Sequence, residues 1–352
     1  MAVITYKCRN CDGGLIFDPD TQQFRCEYCG SLFTEQELTD STPDSQQDRP
    51  APEADTPHGE AGTAVLYTCP SCGGEIVTDE TTAATFCYYC QNPVVLSGRL
   101  DGAFTPDSVV PFVINKEEAV TRFLEWTGKK WFIPRAFFSK SQIEKISGIY
   151  FPCWIVDCDV EGALDANATR VRSWESGDTR YTETKHFRIR RAGRLHFEDI
   201  TKNALQKANR KLMDRVQPFD HRAAKDFSMQ YLLGFQAEKR DIERESLAQE
   251  VQDDISRYTQ TLLSDTISGY STVVPMGLRA ETQAEQWQYT LLPVWVLTYK
   301  APGGKLYYYA MNGQNGKVCG ELPVDMGRLA ILFAALCLPL FPLFMWLGGM
   351  LF

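Results

Sequence analysis

Histidine is scarce. There are four in 352 residues, His58, His186, His196 and His221, and no nucleophile motif stands beside any of them. The side chain that most often serves as a general base is therefore missing from any compact catalytic pattern. No G-x4-G-K-[ST] phosphate loop occurs. Gly128-Lys129, Gly304-Lys305 and Gly316-Lys317 lack both its spacing and its Ser/Thr, which excludes an NTP-driven helicase of that type. The opening residues, Met1-Ala-Val-Ile-Thr-Tyr-Lys7, have no signal-peptide layout. Positive charge is in deficit, with 36 Lys and Arg against 45 Asp and Glu and a net charge of −9. That balance argues against bulk electrostatic binding of nucleic acid. Beyond Arg328 charge of either sign is absent.

Cysteine, by contrast, is plentiful, and eight of the twelve fall into two matched sets. Cys8-x2-Cys11 with Cys26-x2-Cys29 forms one, and Cys69-x2-Cys72 with Cys87-x2-Cys90 the other, every member of the second lying 61 residues after its counterpart. Tyr6/Tyr67, Gly13/Gly74, Asp18/Asp79, Thr21/Thr82 and Tyr28/Tyr89 share that offset, so the segment is an internal duplication. Two Cys-x2-Cys turns joined by a short hairpin aim four thiolates at one centre, a geometry that Zn2+ accepts. The reading is two structural zinc ribbons with no open coordination position. A disulfide framework and an iron–sulfur cluster are the rivals. Cys153, Cys158, Cys319 and Cys337 are expected to be buried free thiols, and reduced thiols point to the cytosol.

The rest divides by composition. Residues 1–34 form ribbon one and 64–98 ribbon two, both acidic; Tyr88 and Tyr89 either pack the second ribbon or offer a sticky surface to a partner. Between them, residues 35–63 hold four prolines, eight carboxylates and little to bury, which predicts a disordered linker. Residues 99–326 form a mixed αβ body. Asn115 caps a helix carrying Ala119, Phe123 and Trp126, and a second helix covers Asn203 to Asp214. A long amphipathic one carries Leu247, Val251, Ile255, Tyr258 and Leu262. Tyr150-Phe-Pro-Cys-Trp and Leu291-Leu-Pro-Val-Trp each predict a strand opened by its proline, hence two β units flanking the helices. The second unit continues as a meander through turns at Asn312-Gly313 and Asn315-Gly316.

Two stretches bear on location. Lys185, Arg188, Arg190, Arg191 and Arg194 cluster on a predicted strand. They make either a solvated face or a contact for anionic lipid headgroups or an acidic partner. Residues 327–352 predict a C-terminal transmembrane helix. The uncharged run Leu329–Phe352 would reach about 36 Å, enough for the hydrocarbon layer. Arg328 at its entrance places the soluble part on the cytoplasmic side, with Pro339 and Pro342 kinking the span or folding it into a re-entrant hairpin. The predicted fold class is thus α+β: two N-terminal four-cysteine ribbons, the αβ body and one membrane helix. Asp157, Asp159 and Glu161 could share a strand face for acid–base work, but a solvated strand edge accounts for them as well.

Gly148-Ile-Tyr-Phe-Pro-Cys-Trp, Pro218-Phe-Asp, Tyr231-Leu-Leu-Gly-Phe-Gln-Ala-Glu-Lys-Arg-Asp and Met311-Asn-Gly-Gln-Asn-Gly-Lys-Val-Cys-Gly-Glu-Leu-Pro, taken with the cysteine pairs, carry a resemblance over nearly the whole chain. The chain resembles bacterial membrane-anchored proteins with TFIIB-type zinc ribbons, some of which bear a name borrowed from the primosomal helicase. Relatives of that kind are often encoded beside phage-shock-protein-A-like and SPFH (flotillin-like) proteins. The resemblance implies a non-enzymatic, single-pass adaptor of the inner membrane that recruits such partners in envelope stress. The alternative it leaves open is a nucleic-acid-binding ribbon protein of replication or transcription, against which the acidic ribbons stand.

Overall fold

The computed structural model describes residues 3–39, 65–87, 89–90, 92–301 and 304–351. Strand β1 (Val3–Ile4) leads into β2 (Leu15–Asp18), β3 (Gln23–Cys26) and β4 (Leu32–Phe33), which form a three-stranded sheet, and then into helix α1 (Glu35–Thr39). The second ribbon repeats the plan as β5 (Val65–Thr68), β6 (Glu75–Thr78), β7 (Thr82–Phe86) and β8 (Pro93–Leu96). The body follows with β9 (Ser108–Val109), α2 (Lys116–Gly128), α3 (Lys140–Ile143), β10 (Ser147–Ser176), β11 (Thr179–Asn203) and α4 (Arg210–Val216). After these come β12 (Lys225–Asp226), β13 (Gln236–Glu238), α5 (Arg244–Asp265), β14 (Thr272–Lys300), β15 (Leu306–Asn312), β16 (Val318–Gly320) and α6 (Met326–Leu351).

One 11-stranded sheet dominates, ordered β1-β8-β7-β13-β10-β14-β15-β16, with β11 on β10 and β9 bridging β12 and β14. The architecture is α+β with two four-cysteine clusters near the N-terminus, as expected. Three expectations about its parts change. The two P-x-W segments are not separate β units: β10 and β14 are antiparallel neighbours, with Tyr150 opposite Pro293 and Pro152 opposite Leu291. Nor do the prolines open their strands. Pro152 falls between the residues of β10 that pair with β13, ending at Tyr150, and those that pair with β11, starting at Cys153. Pro293 falls likewise between the β9 partner Leu291 and the β15 partner Val294. At a change of partner a missing N–H costs the ladder little.

The third change concerns the linker. Residues 35–39 are helical, and Leu38 is buried in the same core as Phe17, Phe24, Tyr231 and Phe235. The remainder of the expected 35–63 linker, with His58, lies outside the described residues. Ribbon one is therefore packed on the body, because Leu15, Phe17, Phe24 and Phe33 are too few to bury one another without it. Ribbon two merges with the body further still. β7 pairs with β13, and β8 pairs with β1, so its boundary with the body at residue 98 cuts through a continuous sheet.

The three long strands are the other surprise, at 30 residues for β10, 25 for β11 and 29 for β14. Thirty extended residues reach about 100 Å. Helix α5 covers one face of their middle section, burying Val251 and Ile255 against Val156, Cys158, Val160, Phe197 and Ile200. Tyr258 and Leu262, expected in the apolar stripe, are partly exposed, and Thr259 and Leu263 take the buried positions. Beyond the pair Thr169–Thr272 the β10–β11 hairpin continues without β14 as far as Ser176–Thr179. Trp174 and Tyr181 stack across that tip, with ring centroids 5.6 Å apart.

The helix expected over Asn203–Asp214 is only α4, capped by Asn209 accepting from the Leu212 N–H. Cys153, Cys158 and Cys319 are buried as free thiols, but Cys337 is exposed on α6. Helix α6 carries exposed Ile331, Phe333, Leu338, Phe341, Phe344 and Met345. Its described side chains run unbroken only from Met326 to Phe341. Among the described residues no helix is long and apolar enough to cross a membrane, so the expected transmembrane helix over 327–352 is not a feature of the described structure.

Candidate metal centres and the surfaces around them

All eight cysteines of the two CxxC sets come together as two groups of four, each with its sulfurs within 4.8 Å of one another. Sγ–Sγ distances are 3.5 Å for Cys8–Cys29, 3.4 Å for Cys11–Cys26, and 3.7 Å for both Cys69–Cys90 and Cys72–Cys87. A disulfide would bring two of them to about 2.05 Å. A tetrahedral ion bound by thiolates at ~2.3 Å sets its ligands about 3.8 Å apart. The donor set thus fits a four-thiolate metal site in each cluster. With all four positions taken by protein, neither leaves room for a substrate.

The turns that aim the thiols are built alike. The Cys8 N–H donates to the Gly13 carbonyl at 2.7 Å, and Asp12 N–H to the Cys8 carbonyl at 2.8 Å. Sixty-one residues on, Cys69 donates to Gly74 and Gly73 to Cys69, each at 2.8 Å. Asp12 and Gly73 occupy the left-handed region at φ 61° and 74°. The glycine that follows each is required for a different reason. A Cβ on Gly13 would lie 2.5 Å from the Tyr28 ring, and one on Gly74 2.4 Å from Tyr89. The paired tyrosines rest on bare backbone while staying 74% and 72% exposed. In cluster one the Ser31 hydroxyl lies 3.1 Å from the Cys29 sulfur, a contact that favours the thiolate there.

The motif at 231–241 is the plate that ribbon one sits on. Phe17 N–H donates to the Leu233 carbonyl at 2.9 Å. Tyr231 packs edge-on to Phe17 and Phe24 and donates its hydroxyl to Glu35 at 2.8 Å. Phe235 stacks on Phe112 at 4.1 Å. Arg240, at the end of the motif, lies over Trp154, Tyr289 and Phe104 and pairs with Glu243. Asn312, from another motif, is fully buried and donates to the carbonyls of Val216 and Pro218, both at 3.0 Å. These stretches therefore hold the fold together.

Ribbon two is locked by Arg99 and Lys207, which no motif marks. Arg99 is buried, donates to the Tyr67 hydroxyl at 2.9 Å and to the carbonyls of Asp79 and Thr82, and covers the Tyr67 ring. Lys207 of the body bridges Asp79 at 2.7 Å and Glu238 at 2.8 Å. Burial opposes ionisation of Asp79, but hydrogen bonds from Lys207 and Thr82 outweigh it and hold the carboxyl well below its usual range. Burial drives the Glu238 carboxyl upward. Lys207 also borders a cavity of about 490 Å3 between α4 and the sheet, lined by Phe151, Leu212, Met213, Val294 and Tyr308.

The basic cluster does lie on a strand, β11, but the pleat divides it. Arg188, Arg190 and Arg194 face the open side, opposite Asn167, Asp165 and Glu161, and Arg194 pairs with Glu161 at 3.3 Å. Lys185 and Arg191 point to the α5 side with Phe187 and Ile189, and Lys185 pairs with Glu183 at 3.2 Å. The five side chains are not one patch. Arg170, on the Lys185 side, lies over Phe187 and Tyr270. Asp157, Asp159 and Glu161 do share the open face. Asp159 accepts from or donates to His196 Nδ1 at 2.7 Å according to tautomer and protonation, and Asp157 accepts from the Asp199 N–H at 2.8 Å.

These features define a protein with two duplicated four-cysteine centres built into an α+β body. The chain is 35% identical over 334 residues to the uncharacterized protein YdjG of Bacillus subtilis (strain 168), covering 95% of this chain and 94% of that one. It belongs to the same family. No model of a known protein family matches it, and no solved structure does.

Proposed function

We propose that this protein is a non-enzymatic adaptor of the bacterial inner membrane, with Zn2+ in both four-cysteine centres and residues 327–352 as a single-pass anchor. The observation that carries the adaptor reading is the β10–β11–β14 arm. Its distal hairpin leaves the core behind, yet holds exposed Val171, Trp174 and Tyr181, and the adjoining end of β14 adds exposed Val274 and Met276 level with Arg188 and Arg190. Such a limb contributes little to the body's stability and offers both faces of a strand pair to a partner. Tetrahedral four-thiolate geometry in the duplicated turns supports zinc. The uncharged run after Arg328 supports the anchor: the 23 residues from Leu329 to the end of helix α6 at Leu351 extend about 35 Å. Ribbon one does not swing on a flexible arm but is held by its plate, so partners meet a preformed surface. Candidate partners are phage-shock-protein-A-like and SPFH proteins, and the TFIIB-type ribbon resemblance belongs to this same reading.

The test is affinity capture of the full-length protein from native membranes in mild detergent, with mass spectrometry. A variant in which residues 172–183 are replaced by a two-residue turn runs in parallel. Enrichment of phage-shock-like or SPFH-like proteins with wild type, lost with the shortened arm at unchanged metal content, is the expected result. Nuclease-sensitive enrichment of replication or transcription proteins would replace the adaptor reading with a nucleic-acid one.

A further inference from the structure

A loop beside the root of α6 has a composition that the fold does not call for. The Asp325 N–H donates to the Phe132 carbonyl at 2.6 Å. Arg328, the last charged residue, donates through Nη1 to the carbonyls of Trp131 at 3.2 Å and Ile133 at 3.1 Å, and pairs with Asp325 at 3.4 Å. Ile133 is buried in the main core, so the loop is pinned from inside as well. Backbone is thus tied to the first turn of α6 at three carbonyls. The level of the loop along the helix axis is fixed to within about one turn, ~5 Å.

The side chains held at that level face outward. Trp131 is 80% exposed, whereas Trp154 and Trp295 are 7% and 4% exposed. Lys129 and Lys130 before it are exposed and have no ion pair among the described residues. Leu124, Val324 and Met326 are exposed nearby in sequence or along the same helix root. Water gives an indole no reason to be held out in this way. The headgroup layer of a bilayer does, since its apolar body and N–H suit that boundary. Lysines beside it gain from anionic lipid.

We propose that residues 129–134 form an interfacial collar, with Trp131 seated among the headgroups and Lys129 and Lys130 against anionic phospholipid. The inference rests on the reading of α6 as the anchor, and adds to it the depth and orientation of the body. A spanning helix alone leaves the body free to tilt. A collar tied to its root by three backbone carbonyls holds one end of α2 and the adjoining loop at the membrane. A peptide partner is the weaker fit, because this loop is bonded to the root of the apolar tail and has the mixed indole–lysine character of a lipid boundary.

Full-length protein is reconstituted into vesicles of phosphatidylcholine, alone or with an equal amount of phosphatidylglycerol, carrying brominated acyl chains that quench tryptophan. Wild type, Trp131→Phe and Trp346→Phe are compared, so that subtraction isolates each indole, and metal content confirms that each variant is folded. The expected result is quenching of the Trp131 component, about twofold stronger for bromine near the headgroups than at the chain ends. The phosphatidylglycerol vesicles should enhance it, and Lys129→Gln with Lys130→Gln should abolish that enhancement. An unquenched, water-exposed Trp131 beside a quenched Trp346 overturns the collar and leaves the anchor standing. Quenching of neither overturns the anchor and the collar together. Equal quenching on both vesicles, indifferent to the lysines, overturns the assignment to anionic lipid.

Discussion

At the scale of single residues, side chains with no motif around them hold the ribbons to the body. Arg240 lies among three aromatic rings with its charge on Glu243, which is itself half in water. Arg240→Ala should lower unfolding free energy by about 3 kcal/mol, from lost packing and cation–π contact, and Arg240→Met by about 1 kcal/mol. Urea denaturation distinguishes the two, and equal losses would mean that the charge rather than the stacked volume matters. His196 offers a pH test. The hydrogen bond that the His196 ring donates to the Asp159 carboxylate, aided by its charge and that of Glu198, raises the imidazole pKa above its usual value. A raised histidine contributes its stabilisation fully below the unfolded pKa of about 6.5 and loses it as pH rises through the folded value. NMR titration should show His196 titrating above the usual value, and Asp159→Asn should bring it back.

At the scale of elements, the prolines of β10 and β14 and the duplicated ribbons show how partner changes are accommodated. Pro152→Ala and Pro293→Ala should each alter stability by less than about 1 kcal/mol, since neither restores a needed ladder bond. Val294→Pro one residue away, where β15 and β10 both pair, should cost about 3 kcal/mol or more and depress soluble yield. Thermal melts of the three variants check this; comparable losses in all would show that the prolines sit within, not between, ladders. The alternation Asp157-Cys-Asp-Val-Glu-Gly-Ala-Leu-Asp-Ala-Asn-Ala carried the length of β10 in plain view, with small residues on the α5 side. Its length escapes a reading that expects ordinary strands, because most strands are about five or six residues.

At the scale of the whole molecule, the four-cysteine clusters are joined to more of the fold than the ribbons themselves. β7 and β8, either side of Cys87 and Cys90, belong to the main sheet, and ribbon one shares its core with Tyr231 and Phe235. Removing metal with a strong chelator should therefore raise amide exchange in ribbon one and also in residues 231–238 and β13. Cys26→Ser and Cys87→Ser should each lose about one metal equivalent of two. Exchange confined to residues 3–39 and 65–90 would restore the picture of independent ribbons. On the proposed anchoring, cutting after Arg328, which keeps its bonds to Trp131 and Ile133, should release the body from membranes without changing its melt.

The sequence alone determined the eight thiol ligands, their grouping and the duplication. Ligand spacing is local, so each CxxC turn brings its two thiols together whatever packs around it. It also determined the α5 stripe at Leu247, Val251 and Ile255, because a 3.6-residue period needs no knowledge of the partner. Only the tertiary structure decided that the two P-x-W segments are neighbours in one sheet, that α1 and ribbon one dock on 231–241, and that the five basic residues split across a pleat. Each depends on contacts between residues far apart in sequence, or on a parity that one side of a strand acquires when something packs against it. Arg99, Arg240 and Trp131 acquire their roles in the same way, since each is defined by what folding brings beside it or leaves bare.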